Sequence, residues 1–221
     1  MTRTEILTRY RRLRQISKEL HQDVLDIIAP DAELVWAKRL DLARGRTLLT
    51  ESENEFVLVE DLEIYVARPG RSHPLDRYAR AAGLAPGSDR AIVHEAMRHA
   101  RFSLWRVERH HKTEGLILRD LLRDEETWLA DEALAKGARP GMEMAVRLLK
   151  PDQFAMTARV VVPLMPELMT RAELMEEVFI RAPALKRLQP GELASDPRFA
   201  VGVYREAVAA GVMDFIRFER K

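Results

Sequence analysis

After Arg101 the hydrophobic period changes from that of a helix to that of a strand, and this switch constrains the fold more than any other feature. From Phe102 to Arg109 the residues alternate, with Trp105 and Val107 on one face and Leu104, Arg106 and Glu108 on the other. A turn-like stretch runs from His111 to Gly115. Beyond it Leu116, Leu118, Asp120 and Leu122 alternate with Ile117, Arg119 and Leu121. Period two on both sides of a glycine-ended loop predicts a hairpin. Thr127 to Ala130 reads as a short third strand. Pro140-Gly141 turns the chain into Met142, Met144, Val146 and Leu148, and a last strand runs from Phe154 to Val162. Five short strands in about sixty residues suit a small barrel or a strongly curled antiparallel sheet.

On either side the pattern is helical. Thr2 with Glu5 has capping-box spacing, and Ile6, Tyr10, Leu13, Ile16 or Ser17, Leu20, Val24 and Ile27 recur along one face until Pro30. Asp31 is placed to cap a second helix through Val35, Trp36, Leu40 and Ala43, closed by Gly45. Ser52 with Glu55 opens a segment through Val66 whose Phe56–Val59 run reads as helix or strand. Pro74 starts a short helix ended by Gly83, and Ser88 caps another. Downstream, Thr170 with Glu173 opens a helix before Pro183, and Ser195 or Asp196 starts the last one. Phe215, Ile216 and Phe218 are expected to pack down. Stretches 67–74 and 133–141 read as linkers. The expected fold is therefore α+β: a helical N-terminal region over 1–101, a central small antiparallel barrel-like unit over 102–164, and C-terminal helices over 165–221. The three segments read equally well as one compact domain.

Several function classes drop out on composition. The chain has no cysteine, which excludes disulfides, thiolate zinc sites, iron–sulfur clusters and a cysteine nucleophile. No apolar run approaches the ~20 residues of a membrane span, and the N-terminus leads into a charged amphipathic segment. A cytoplasmic location without a membrane partner is expected. The net charge is +1, so electrostatic partners must be sought in local patches. Residues 1–20 carry Arg3, Arg9, Arg11, Arg12, Arg14 and Lys18 against Glu5 and Glu19, whereas 51–63 carry six acids and no base. Such runs most simply form solvated helix faces.

Motifs that carry chemistry are sparse. His94 and His99 lie five residues apart, about 500° of helical rotation, so their imidazoles diverge; Glu95 and His99 share a face but make only two ligands. Glu60, Asp61 and Glu63 offer paired carboxylates with neither nucleophile nor pocket in view. There is no glycine-rich phosphate loop, no nucleophile elbow and no dinucleotide fingerprint. No catalytic residue, metal ligand set or cofactor is therefore assigned. Basic residues beside an aromatic on the hairpin, namely Trp105, Arg106, Arg109, His110, His111 and Lys112, match what a single-stranded nucleic acid needs. Trp105 also fits the core, and edge cations also discourage strand pairing. Met142, Met144, Met156, Met165 and Met169 suit either an adaptable partner groove or the core.

The stretches Phe102-Ser103-Leu104-Trp105-Arg106-Val107, Gly115 to Leu122 and Pro140 to Leu148 resemble segments of uncharacterised bacterial proteins over residues 34–163. In those proteins a helical N-terminal part leads into a small β unit, and some end in a SEC-C zinc knuckle. The resemblance implies the fold arrangement and lends no activity; without cysteine this chain has no knuckle. The expected role is a non-catalytic binding protein whose partner is another protein or a second copy. The alternatives are RNA or DNA binding through the basic hairpin, and an enzyme with a dispersed site drawn from Glu60, Asp61, Glu63, His94 and His99.

Overall fold

Local signals start and stop the helices of the protein, for which a computed structural model describes residues 1–29, 31–49 and 52–215. Thr2 and Glu5 exchange hydrogen bonds as a full capping box at the head of α1 (Arg3–Asp26). The buried stripe of α1 is Ile6, Tyr10, Leu13, Ser17, Leu20, His21 and Val24, while Ile27 stays exposed. α2 (Asp31–Arg39) ends earlier than Gly45. That glycine, at φ +64°, instead turns a hairpin of β1 (Ala43–Arg44) on β2 (Thr47–Leu48), which corrects its reading as a helix stop. The ambiguous Phe56–Val59 run lies in α3 (Glu53–Tyr65), whose Ser52–Glu55 capping box fixes its start. α4 (Pro74–Ala82) ends at left-handed Gly83, and Ser88 caps α5 (Asp89–Arg98).

All five expected strands form: β3 (Arg101–His110), β4 (Leu116–Asp120), β5 (Glu126–Leu129), β6 (Glu143–Leu149) and β7 (Met156–Leu164). They make one antiparallel sheet in the order β5-β4-β3-β6-β7. β3 and β4 pair as the predicted hairpin, with a bulge between Val107 and Arg109. The ladder does not close into a barrel; a single bridge, Leu129 on Ala155, links β5 to the entry of β7. The stretch 133–141 is more than a linker, because α6 (Glu132–Gly137) occupies its start. The cap of α6, Asp131, accepts from the Ala133 and Leu134 amides and from the Thr157 hydroxyl at 2.6 Å, so it ties the helix to β7.

The C-terminal part adds α7 (Arg171–Arg181), α8 (Pro190–Ser195) and α9 (Pro197–Ala209), the last capped by Asp196. The expected packing of Ile216 and Phe218, and of the Phe215 side chain, lies outside the described residues. Three apolar clusters result. The largest mixes all three chain segments, for example Trp36 and Leu62, Phe102 and Val162, and Phe199 and Val203. A second joins α1, α4 and α5 to Leu149, Phe154 and Met156. The third lies against one face of the sheet around Trp105, Val107, Leu118 and Val146. Met144, Met156 and Met169 fall in different clusters and Met142 is exposed, so the methionines line no common groove. Among the described residues no helix is long and apolar enough to cross a membrane.

Candidate functional site

The buried stripe of α3 runs Leu58, Asp61 and Leu62 and continues to the partly buried Tyr65, so helical spacing carries a carboxylate into the middle of the protein. β6 is buried on both faces, and Arg147 is its one inward cation. The two meet: Arg147 Nη2 lies 3.0 Å from Asp61 Oδ2, and Nε donates to both carboxylate oxygens at 3.2 and 3.3 Å. Tyr204 on α9 donates its hydroxyl to Asp61 Oδ2 at 2.8 Å. The guanidinium also lies over the Tyr65 ring (4.5 Å) and the Phe102 ring (5.3 Å). Burial works against the cation, but Asp61 and then Tyr204 hold the Arg147 pKa above its usual value. Burial, reinforced by Asp61, keeps both tyrosines protonated.

A second branch leaves through Tyr65. Its hydroxyl lies 2.8 Å from His21 Nε2, while His21 Nδ1 lies 2.5 Å from the Ser17 carbonyl. A carbonyl only accepts, so Nδ1 carries the proton and Nε2 accepts from the tyrosine. Burial lowers the His21 pKa to about 4 and keeps the ring neutral. The chain His21–Tyr65–Arg147–Asp61–Tyr204 thus links α1, α3, β6 and α9.

Two hollows flank this network. One is a cavity of about 400 Å³ where the end of α3, the start of β3, β6 and the α8–α9 turn meet; Arg101, Arg123 and Arg147 line it, with Tyr65, Phe102 and Asp196. The other is a groove of about 410 Å³ beside α9, lined by Arg39, Arg181, Arg198 and Arg205 over an apolar floor that includes Ala182 and Val201. They share Val66, Asp196 and Pro197. In the groove Arg198 is held by Asp196 at 2.6 Å, Arg181 and Arg205 share the buried Glu206 at 3.0 and 3.4 Å, and Arg181 also lies 3.9 Å from Asp41, so four cations face three carboxylates. Arg39 stacks over Trp36 and has no carboxylate partner among the described residues. The groove is left cationic.

The basic hairpin is arranged otherwise. Trp105 is buried, its indole N–H donating to the Val146 carbonyl at 3.1 Å, so its face is closed to a base. Arg106, Arg109 and Arg119 interleave with Glu108, Asp124 and Glu126, three cations with three carboxylates. The Arg109–Glu126 pair is bidentate, at 2.8 and 3.0 Å. A phosphate would have to displace these acids. His110 and Lys112 are exposed, and His111 stacks on Trp128 at 4.2 Å. The ring at the hairpin surface is therefore Trp128, and an imidazole already covers it.

The residues of a dispersed active site do not converge. Asp61 serves Arg147, and Glu60 pairs with Arg159 at 2.6 Å in a contact without the alignment of a hydrogen bond. Glu63 stands in a different environment: burial, with Glu33 and Glu60 close by, raises its pKa to about 7 despite Arg68. His94 is buried against the Leu75 carbonyl at 2.9 Å, and exposed His99 pairs with Glu95 at 2.8 Å. Among the described residues no three His, Asp or Glu side chains are placed to hold a metal ion.

Sequence reasoning passed over Arg147, Tyr204, Tyr65 and His21. The signal was present for Arg147 and for its partner Asp61. Arg147 interrupts an apolar run in a strand, and Asp61, weighed only with its acidic neighbours, falls on the apolar stripe of its helix. Opposite charges on two buried faces predict an internal pair. No curated protein and no solved structure matches this chain. One family model does, over residues 4–172, from α1 through the sheet to the first residues of α7. On that match, which spans most of its length, the chain belongs to the family of unknown function DUF7986.

Proposed function

We propose that the protein is a non-catalytic binding protein whose partner is another protein, engaged through an acidic segment with apolar residues in the groove beside α9. The observation that carries this reading is an apolar floor rimmed by Arg39, Arg181, Arg198 and Arg205. Opposite charge steers such a segment and sets its register, and the floor supplies apolar burial. The absence of convergent acids and bases among the described residues favours binding over catalysis, and the neutralised hairpin disfavours nucleic acid. A cytoplasmic location belongs to the same reading, because a cysteine-free chain draws nothing from an oxidising compartment.

The test is fluorescence anisotropy with a labelled peptide of about ten residues alternating Glu and Leu. Binding is expected to weaken as salt rises, to vanish when Lys replaces Glu, and to be lost in the Arg39→Glu, Arg205→Glu double variant. Equal binding of the Lys peptide, or an unaffected double variant, overturns the reading. Light scattering of the protein alone decides for self-association if it shows a dimer that the same two substitutions dissolve.

A further inference from the structure

We propose that the cavity between the α8–α9 turn and β6 binds a small amphipathic anion, a carboxylate or phosphate monoester on an apolar body, with Arg147 and Arg123 as its anchors. Three observations converge on it. Arg147 lines the cavity with a side chain only 7% exposed, and its Nε and Nη2 are held by Asp61. Its Nη1 has no partner among the described residues, so a fixed donor of a charged group is left over. Arg123 lines the same cavity, tethered at Nη1 to buried Asp120 (3.1 Å) and at Nη2 to Ser195 Oγ (3.2 Å). Both guanidiniums are thus preorganised before a ligand arrives, which lowers the entropic cost of binding.

The remaining wall fits the rest of such a molecule. Phe102, Val66, Ala194 and Ala200 supply apolar surface, and about 400 Å³ is a small-ligand volume. Asp196, the carboxylate of the lining, is engaged by the Arg198 backbone amide and guanidinium and caps α9, so the helix start opposes an anion less than its charge suggests. This site does not depend on the peptide groove. The two readings fail separately, since neither Arg39 nor Arg205 lines the cavity.

Isothermal titration with phenyl phosphate, benzoate and uncharged benzyl alcohol tests the proposal and distinguishes the two anion types. At least one anion is expected to bind saturably, the alcohol at least about tenfold more weakly. Arg123→Gln, checked for folding by circular dichroism, is expected to weaken the anion by at least about tenfold and leave the alcohol unchanged. Arg147 is too deeply built into the core to serve as the first variant. Ala200→Leu, which fills the cavity and leaves every charge in place, is expected to abolish binding of all three and decides the matter should Arg123→Gln fail to fold. No saturable binding of either anion, or anion binding that survives Ala200→Leu in a folded variant, overturns the proposal.

Discussion

Arg147 on β6 and Asp61 on α3, 86 residues apart in sequence, form a buried ion pair in which both side chains are almost wholly removed from water. Desolvating two charges costs several kcal/mol each, and mutual attraction offsets this only with good geometry and with the remaining valences satisfied. Here the carboxylate receives Arg147 and the Tyr204 hydroxyl, and two aromatic rings cover the guanidinium. The pair welds the N-terminal helices to the sheet, and Tyr204 brings in α9.

Breaking one side of this pair is expected to cost far more than removing both. Asp61→Asn keeps the volume but strands a buried cation, and should lower stability by about 3–5 kcal/mol. The double variant Asp61→Leu, Arg147→Met should lose less than half as much. Urea unfolding of the two proteins at neutral pH checks this; a cost below about 1 kcal/mol for Asp61→Asn contradicts the buried pairing.

Glu63 sets the alkaline side of the stability profile. Its carboxyl has a pKa raised by burial to about 7 from 4.5, so the folded state holds a proton that the unfolded chain has released. Stability therefore falls as pH rises from 4.5 through 7. Glu63→Gln should remove most of that fall, leaving the smaller part due to Glu60, whose carboxyl burial also pushes up, and should stabilise the protein at pH 8 by about 2–3 kcal/mol. Denaturation midpoints at pH 5 and pH 8 provide the measurement.

His21 acts in the opposite sense. Its folded pKa is lowered to about 4 from 6.5, so below pH 6.5 the unfolded chain takes up a proton that the folded state refuses. Stability is lost as pH falls from 6.5 towards 4, by about 2–3 kcal/mol in all. The two slopes oppose each other where their windows overlap. The His21 effect is thus best read in a Glu63→Gln background, where His21→Gln should flatten the acid limb. An unchanged limb would mean that His21 titrates normally.

Gly115 closes the hairpin at φ +88°, and a Cβ there would lie 2.1 Å from the Leu129 carbonyl oxygen. Gly141 has nearly the same backbone, φ +89°, but open space around it. Gly141→Ala should cost about 1 kcal/mol, the left-handed penalty alone. Gly115→Ala should cost more than about 3 kcal/mol, because β4 and β5 must also separate. Equal melting temperatures for the two variants would refute the close approach.

Much of the secondary structure was written locally. The Thr2–Glu5, Ser52–Glu55 and Thr170–Glu173 pairs start helices because a capping box needs only four consecutive residues. Alternation from Phe102 to Val162 determines five strands for the same reason, since a pleat has period two wherever it lies. Gly45 was decided by its own neighbours, which pair as a hairpin, but what happened to Trp105 and Arg109 depended on other strands. Trp105 is inside because β6 brings the Val146 carbonyl to its indole, and Arg109 is neutralised because β5 brings Glu126. The same holds for Arg147, Asp61, Tyr204 and His21. A charge on an apolar stripe predicts that a partner exists, but only packing names it, because electrostatic pairing at a few ångströms is indifferent to separation along the chain. Periodicity fixed the elements; long-range contact decided which charges are paired and which guanidiniums still face a cavity.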